Sequence, residues 1–359
     1  MLPQSGDSSP IRLTALDGLR GLAAILVAAY HADEFYSRGA PTVVRGYLAV
    51  DFFFLLSGFV LAMTYDGRFA RGLTAREFMV RRFLRLAPLY WAGCAIGLVS
   101  LYSVAGNDWP SRTVTLGLNL LFLPAWSDFS DFIMPVNIPG WSLFFEVIVA
   151  NGLFAVLWSR LRGRTLVVLV MTAAAVLAYV AKTFGHLNFG FSWHGFVYGF
   201  ARVLFSFFGG VLLFRWRHRL PSVRVPTLAL AALLTASLMV SVDGKAGKVY
   251  ELACVVMIFP AIVHLGAGSR EMSPRTGYLL GELSYGLYAI HYPIITLPPV
   301  VALTSHIWPN GSGWRHWYQI PLVLLLALLA WLVVRWIDLP IQRAVARRRA
   351  NPGAPAGAS

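Results

Sequence analysis

"LDGLRGLAAILVAAYHADEF", residues 16–35, is the stretch on which the reading of this chain turns. Its middle is apolar enough for lipid, yet Asp17 and Arg20 stand at one end and His31, Asp33 and Glu34 at the other. Arg20 and His31 are eleven residues apart. At about 100° per residue that is roughly three turns plus 20°, so on a helix the two side chains share a face. At about 1.5 Å per residue they stand roughly 16 Å apart along the axis. Each residue also has a plainer reading. Arg20 can snorkel to an interface, Asp17 can serve only as its ion partner three residues earlier, and His31 can be an interfacial residue at a helix end.

The rest of the chain favours a membrane setting. Of 359 residues, 57% are hydrophobic and 13% charged, and the mean hydropathy is +0.64. A soluble domain of this size cannot hide so much apolar surface. The net charge of +14 would suggest nucleic acid in a soluble protein. Here the arginines gather at the ends of apolar runs, so their first use is membrane orientation, and no nucleic-acid partner is expected. Cys94 and Cys254 lie inside apolar segments and read as small core residues, not as a disulfide or a metal site. Arg12 followed by an apolar run resembles a signal peptide. The run is long, contains Arg20 and ends in charges without a small-x-small cleavage site, so it is kept as the first helix.

About 20 mostly apolar residues are needed to cross a bilayer. Ten segments qualify: 13–33, 46–66, 86–104, 140–159, 164–184, 195–214, 227–242, 249–266, 279–301 and 317–338. A further run, 114–125, would place "SRLRGR" (159–164) outside if it spanned, so it reads as non-spanning or re-entrant. With the N-terminus inside, twenty Lys and Arg fall on the cytosolic side and six outside. This bias predicts an all-α polytopic bundle with both termini in the cytosol. The predicted organisation is a flexible tail over 1–11, one membrane domain over 12–342 and a basic, then flexible, tail over 343–359. The basic loop 67–85 is expected to carry a short cytosolic helix, because "TAREF" offers Thr74 as a cap and Glu77 three residues on.

Ionisable residues inside spans are costly and usually pair or face a cavity. The predicted topology puts Asp17, Arg20, Glu282 and Asp338 near the inner face, His31, Asp51, Glu146 and Arg202 near the outer face, and His291 between. Two polar layers joined through a bundle suggest a water-accessible passage. In "RRFLRL" (81–86), Arg82 and Arg85 share a helix face and suit bidentate bonds to phosphate at the cytosolic mouth. Arg81 reads as an ordinary positive-inside stop signal. In "IPGWSLFFE" (138–146), Trp141 can anchor at the interface and Ser142 can cap the helix. Glu146 needs a proton, a partner or a cavity. In "GELSYGLYAIHYPI" (281–294), Glu282, Tyr285, Tyr288 and His291 recur every three residues and can line the passage, although tyrosines also bond between helices. An arginine and an imidazole so far apart on one face suit a long ligand with an anionic and a reactive end. Coenzyme A has that form.

Together, "LTALDGLRGLAAILVAAYHA", "GYLAVDFFFLLSGFVLA", "RRFLRLAPLYW", "IPGWSLFFE" and "ELSYGLYAIHYPI" resemble membrane acyltransferase family 3 over about residues 12–340, in the family's order. The resemblance implies a ten-helix bundle that O-acylates glycans, O-antigen, Nod factors or macrolides in a bacterial cell membrane. It matches Arg20 and His31 to the family's basic residue and histidine, Arg82 and Arg85 to its arginine pair, and Trp141, Ser142 and Glu146 to its tryptophan-serine-glutamate region. Some relatives add a further helix and a soluble hydrolase-like domain. No such addition is expected beyond about residue 340, so the acyl group is expected to reach its acceptor directly from the membrane domain. No permanently bound cofactor and no metal are expected.

The implied donor substrate is acyl-CoA, with acetyl the expected group. Arg82 and Arg85 would hold phosphate, Arg20 a deeper part, and Asp17, Trp141, Ser142, Tyr285 and His291 would complete the binding surface. His31 would act as general base on an acceptor hydroxyl, worth about 10²–10⁴-fold, or else carry the acyl group as an acyl-histidine. Glu146 or Asp33 would fix its tautomer, and Ser142 or a backbone N–H would meet the oxyanion. The rival readings are a glycan exporter, which would move substrate without consuming coenzyme A, an assembly scaffold, and a transferase whose acceptor faces the cytosol. The acceptor is a glycan or a small-molecule hydroxyl, and the short outer loops carry no sugar signature.

Overall fold

The computed structural model describes residues 13–36, 41–103, 109–221, 223–242, 244–269, 273–307 and 319–350. The expected tails, 1–11 and 351–359, and Arg12, Arg38, Arg270 and Arg315 lie outside these residues. Among the described residues the regular elements are all helical, with only two isolated bridges, Ser127 to Ser130 and Phe132 to Ser192. The helices are α1 (Thr14–Tyr36), α2 (Ala49–Ala70), α3 (Ala75–Ser103), α4 (Trp109–Leu120), α5 (Gly140–Leu157), α6 (Gly163–Phe184), α7 (Phe196–Trp216), α8 (Thr227–Met239), α9 (Gly244–Gly268), α10 (Pro274–Ile295), α11 (Pro298–Ile307), α12 (Gln319–Val333) and α13 (Leu339–Ala350). π-turns interrupt α5 at Phe144–Ala150 and α9 at Cys254–Ile258, and a third, Val334–Asp338, joins α12 to α13. Cys94 and Cys254 are buried and free.

Seven helices are long and apolar enough to cross a membrane: Gly46–Ala70, Ala75–Tyr102, Gly140–Leu157, Gly163–Phe184, Trp193–Arg219, Gly244–Gly268 and Gln319–Arg347. The pair α10–α11, bent by 75°, makes an eighth if it is one broken span. Two of the ten expected spans fall outside that group. α1 has the length, but Asp17, Arg20, His31, Asp33 and Glu34 lower its hydropathy. α8 has 13 residues, about 20 Å of helix against a hydrocarbon core of about 30 Å. Arg45 finishes that short helix by donating to the carbonyls of Val240 (2.5 Å) and Val242. α4 is also too short to span, in keeping with the reading of 114–125 as non-spanning.

Several expected boundaries move. Thr74 and Glu77 do form a capping box: Glu77 N–H donates to Thr74 Oγ1 (3.2 Å), and Thr74 N–H donates back to Glu77 Oε2 (3.0 Å). The helix it starts is not a separate cytosolic one, because α3 runs unbroken into the third span through Pro88. Pro88 cannot donate to Leu84 O, and Gln342 Nε2 donates to that carbonyl instead (3.2 Å). The ninth expected span, 279–301, breaks after Ile295, since Pro298 and Pro299 supply no N–H groups and disfavour helix at the residue before them. The expected tail from 343 begins as helix, because α13 extends to Ala350.

Two parallel helix pairs position the interior. In the first, α2 lies against α7 at glycine contacts. A Cβ on Gly58 would come within 1.9 Å of Phe207 O, and one on Gly210 within 2.0 Å of Leu55 O. Here only glycine lets the backbones meet. Beside these contacts Arg202, 1% exposed, binds Asp51 through Nη2 (2.7 Å) and Nε (3.2 Å), and also donates to Phe189 O (2.7 Å) and Tyr47 O (2.8 Å). Trp141 lies under the guanidinium, 5.2 Å from ring centroid to Cζ. In the second pair, α1 lies against α10. Ala24, Ala28 and Ala32 pack with Leu287, Ala289 and Ile290, and Arg20, His31 and Tyr36 bond in turn to Ser284, His291 and Ile295.

The Asp51–Arg202 pair gives the first prediction. Asp51→Ala leaves a buried guanidinium without its counter-charge, and breaking such pairs typically costs about 3–5 kcal/mol. Thermal unfolding of the purified protein in detergent should show a clearly lowered transition for Asp51→Ala and a smaller drop for Asp51→Asn. An unchanged transition in Asp51→Ala would show that the pair is not a structural tie.

Candidate active site

The parallel course of α1 and α10 keeps Arg20 and His31 on one face, as their spacing predicts, but delivers them to two different cavities. Arg20 lines an inner chamber enclosing about 910 Å³, with Arg82 and Arg85 from α3, Ser142 and Glu146 from α5, Ser57 from α2, and Ser284, Tyr285 and Tyr288 from α10. His31 lines a second chamber of about 710 Å³, with Tyr30, Glu34, Tyr47, Trp141, Tyr288 and Tyr292. Tyr288 belongs to both walls. Its hydroxyl donates to Pro139 O (2.7 Å) and receives the Ser142 hydroxyl (2.6 Å). This hydroxyl pair is the partition between the chambers.

Three arginines and one carboxylate line the inner chamber. Arg20 donates through Nε to Ser284 Oγ (2.9 Å) and through Nη2 to Gly281 O (2.8 Å), and it pairs with Asp17 at 3.3 Å. Glu146 accepts from Ser57 Oγ (2.7 Å) and from Arg82 Nη2 (2.9 Å). Arg82 Nε is buried without a hydrogen-bond partner. Arg85 bonds Asp338 at 3.0 Å while its side chain stays 47% exposed. Tyr285 lines this chamber and donates to Leu86 O (2.7 Å), so it both faces the cavity and ties α10 to α3.

Glu146, expected near the outer face with His31, sits deeper, in the chamber of Arg20. It lies with Arg82, not in the layer of His31. The segment before α5 descends into the bundle: Ile133, Met134 and Asn137 are buried, and Asn137 Nδ2 donates to Ala289 O (2.8 Å). α5 therefore begins at depth, and Glu146 falls within its π-turn, a distortion frequent at functional sites. Ser142 makes no capping bond to its own helix and faces Tyr288 instead. Trp141 lines the histidine chamber and carries Arg202 on its ring.

The imidazole of His31 is oriented by a second imidazole, not by Glu146 or Asp33. Asp33 accepts the backbone N–H groups of Thr42 (2.8 Å) and Val43 (3.1 Å) and the amide of Gln319. His291, fully buried, places Nδ1 2.9 Å from both Leu287 O and Tyr288 O. A carbonyl only accepts, so Nδ1 of His291 carries the proton, and in the neutral ring Nε2 is then an acceptor. Nε2 lies 3.0 Å from His31 Nδ1. Nδ1 of His31 must therefore be the donor, with Val27 O as a second acceptor at 3.1 Å. The lone pair of His31 is left on Nε2. His291, expected as a substrate contact, is fully buried, is absent from the lining of both chambers and accepts from His31 Nδ1. Ser57 and Ser284 were not anticipated; each is one hydroxyl in an apolar run with no pattern to flag it. Among the described residues no group of three or more His, Cys, Asp or Glu is placed to hold a metal ion.

Comparison with known proteins follows the same lines. Residues 13–337 match the sequence model of a family described as "Acyltransferase domain". The chain is 26% identical to "Peptidoglycan O-acetyltransferase OatA" of Listeria monocytogenes over 362 residues, covering 92% of this chain and 56% of that protein. It is 27% identical to "Exopolysaccharide production protein ExoZ" of Rhizobium meliloti, covering 68% of this chain and 75% of that one. It is 36% identical to "Acyltransferase MdmB" of Streptomyces mycarofaciens, over 42% of this chain and 40% of that one. The chain thus spans little more than half of the Listeria protein. No solved structure matches it. With an all-helical body, seven or eight helices suited to a bilayer, and a family match over nearly its whole length, the chain belongs to acyltransferase family 3 and is a multi-pass membrane acyltransferase.

Proposed function

We propose that this chain moves an acyl group, acetyl by the names of its relatives, from acyl-CoA to a hydroxyl of a surface polysaccharide. The observation that carries this reading is the histidine relay: two backbone carbonyls fix His291, His291 fixes His31, and a basic nitrogen is left at His31 Nε2 in a chamber adjoining an arginine-lined one. The ten-span topology belongs to the proposal. The charge bias puts both termini in the cytosol, so the arginine chamber faces the cytosolic donor and the histidine chamber the opposite side.

In this scheme the coenzyme A phosphates bind Arg82 and Arg85. Arg20 holds a deeper part of the donor. The thioester reaches the partition at Tyr288 and Ser142. His31 Nε2 takes the proton of the acceptor hydroxyl as its oxygen attacks the thioester carbonyl. The hydroxyls of Tyr288 and Ser142 leave Pro139 O and each other and turn their protons to the oxyanion. The tetrahedral intermediate then expels the thiolate, and the imidazolium returns the proton to sulfur. Glu146 keeps Arg82 in place and takes no part in the proton transfer. The names of the relatives, a peptidoglycan O-acetyltransferase and an exopolysaccharide production protein, favour a glycan acceptor over a small molecule.

Three outcomes are expected with labelled acetyl-CoA and membrane glycan. His31→Ala should lose about 10²–10⁴-fold in transfer while melting like the parent protein; near-parental turnover in that variant would defeat the scheme. His291→Phe keeps the ring and removes the acceptor, and should lower kcat by roughly 10–10³-fold, short of the ~10⁴ lost when a triad carboxylate becomes an amide. Donor KM should hold, and His291→Gln, whose amide oxygen can accept from His31 Nδ1, should recover part of the loss. Equal rates for the two substitutions would remove the relay. Arg82→Ala should raise donor KM by about ten- to a hundredfold, the worth of a charged hydrogen bond, and an unaltered KM would place the nucleotide elsewhere.

A further inference from the structure

Away from both chambers, the ends of four bundle helices meet in a third cleft of about 770 Å³. Asp66 comes from the last turns of α2, Trp158 from the residue after α5, Arg162 and Gly163 from the start of α6, and Arg215, Trp216 and Arg219 from the end of α7 and the turn beyond it. Asp66 is the one carboxylate in this lining, and it is fully engaged. Arg215 binds it twice, Nε to Oδ2 at 2.8 Å and Nη2 to Oδ1 at 2.7 Å, and Trp158 Nε1 donates to Oδ1 at 2.7 Å. The cleft therefore keeps the charge of Arg162 and Arg219. Among the described residues neither guanidinium pairs with a carboxylate. Each lies on an indole instead: Arg162 4.2 Å from the Trp158 centroid and Arg219 5.4 Å from that of Trp216.

We propose that this cleft binds the headgroup phosphate of an anionic phospholipid. Solvated arginines would satisfy the positive-inside rule by themselves and need neither a shared cleft nor an indole beside each guanidinium. Each indole flanks its guanidinium at cation–π distance and leaves the N–H fork without a carboxylate partner, so the fork can take phosphate oxygens bidentately. Trp158 and Trp216 are of the residue type that sits at headgroup depth, and Trp216 is 37% exposed. The cleft's own lining adds Leu166 and Leu212, and the helices that bring Trp158 and Arg162 to it carry exposed apolar side chains, Val156 on α5 and Val168 and Met171 on α6, suited to acyl chains. A soluble phosphate would use the guanidiniums but gain nothing from those apolar side chains. Basic pockets between spanning helices hold anionic headgroups on this principle.

The test is native mass spectrometry of the full chain in detergent, offered dioleoyl phosphatidylglycerol, dioleoyl phosphatidylcholine or inorganic phosphate. The parent protein should retain phosphatidylglycerol over phosphatidylcholine by about tenfold or more. The double variant Arg162→Ala/Arg219→Ala should bring that ratio near unity, with the melting transition preserved because Asp66 and Arg215 are untouched. Arg162→Lys/Arg219→Lys, which keeps charge and loses the planar fork, should fall between them. Equal retention of the two lipids by the parent protein, an undiminished preference in the alanine variant, or retention of inorganic phosphate without a lipid preference would each overturn the assignment.

Discussion

The structure depends on one seam, the parallel contact of α1 with α10. Ala24, Ala28 and Ala32 keep α1 narrow where it meets α10, and the two helices ascend together. A seam of small residues would be weak on its own in lipid, where no hydrophobic force drives helices together and packing and interhelical hydrogen bonds remain. The polar rungs supply the rest: Arg20 to Ser284 and Gly281, and His31 to His291. The groups best suited to chemistry are thus also the ones that hold the central pair in register. A slide of either helix by a turn would break the bonds of Arg20 to Ser284 and Gly281 and of His31 to His291 together.

The same rule runs through the interior. An ionisable side chain at depth persists when a partner shares its desolvation, and each such group has a distinct solution. Arg202 is bound on almost every edge, by Asp51, two carbonyls and the face of Trp141, and serves as a strut between α2 and α7. Arg82 is held through one Nη atom by Glu146, and its Nε stays unmet. Arg202 lines neither chamber, whereas Arg82 lines the arginine chamber. Two of the three π-turns fall where a carboxylate must reach such an arginine, Glu146 in one and Asp338 in the other.

Two chambers divided by a pair of hydroxyls give the bundle a plan that neither a pore nor a closed core would have. A passage for transport would be continuous or would open alternately, and its polar groups would be spread along it. Here the cationic groups lie on one side of Tyr288 and the imidazole on the other, so a donor and an acceptor can arrive from opposite sides without sharing a route.

What the sequence determined by itself is the membrane setting, the helical class and the shared face of Arg20 and His31. Those follow from composition and from the helical repeat, which act locally. Thr74 and Glu77 were legible for the same reason, since a capping box closes within four residues. The unbroken run of α3 through Pro88 was not, because a glutamine more than two hundred and fifty residues away meets the freed carbonyl. The depth of Glu146 was hidden too, as it depends on how far an irregular segment with no periodic signal sinks before α5 begins. Tertiary structure alone decided that a histidine, not a carboxylate, orients His31. Two residues 260 positions apart meet only because α1 and α10 run parallel in register, and the direction of a hydrogen bond between two rings is set by carbonyls that no side-chain pattern encodes.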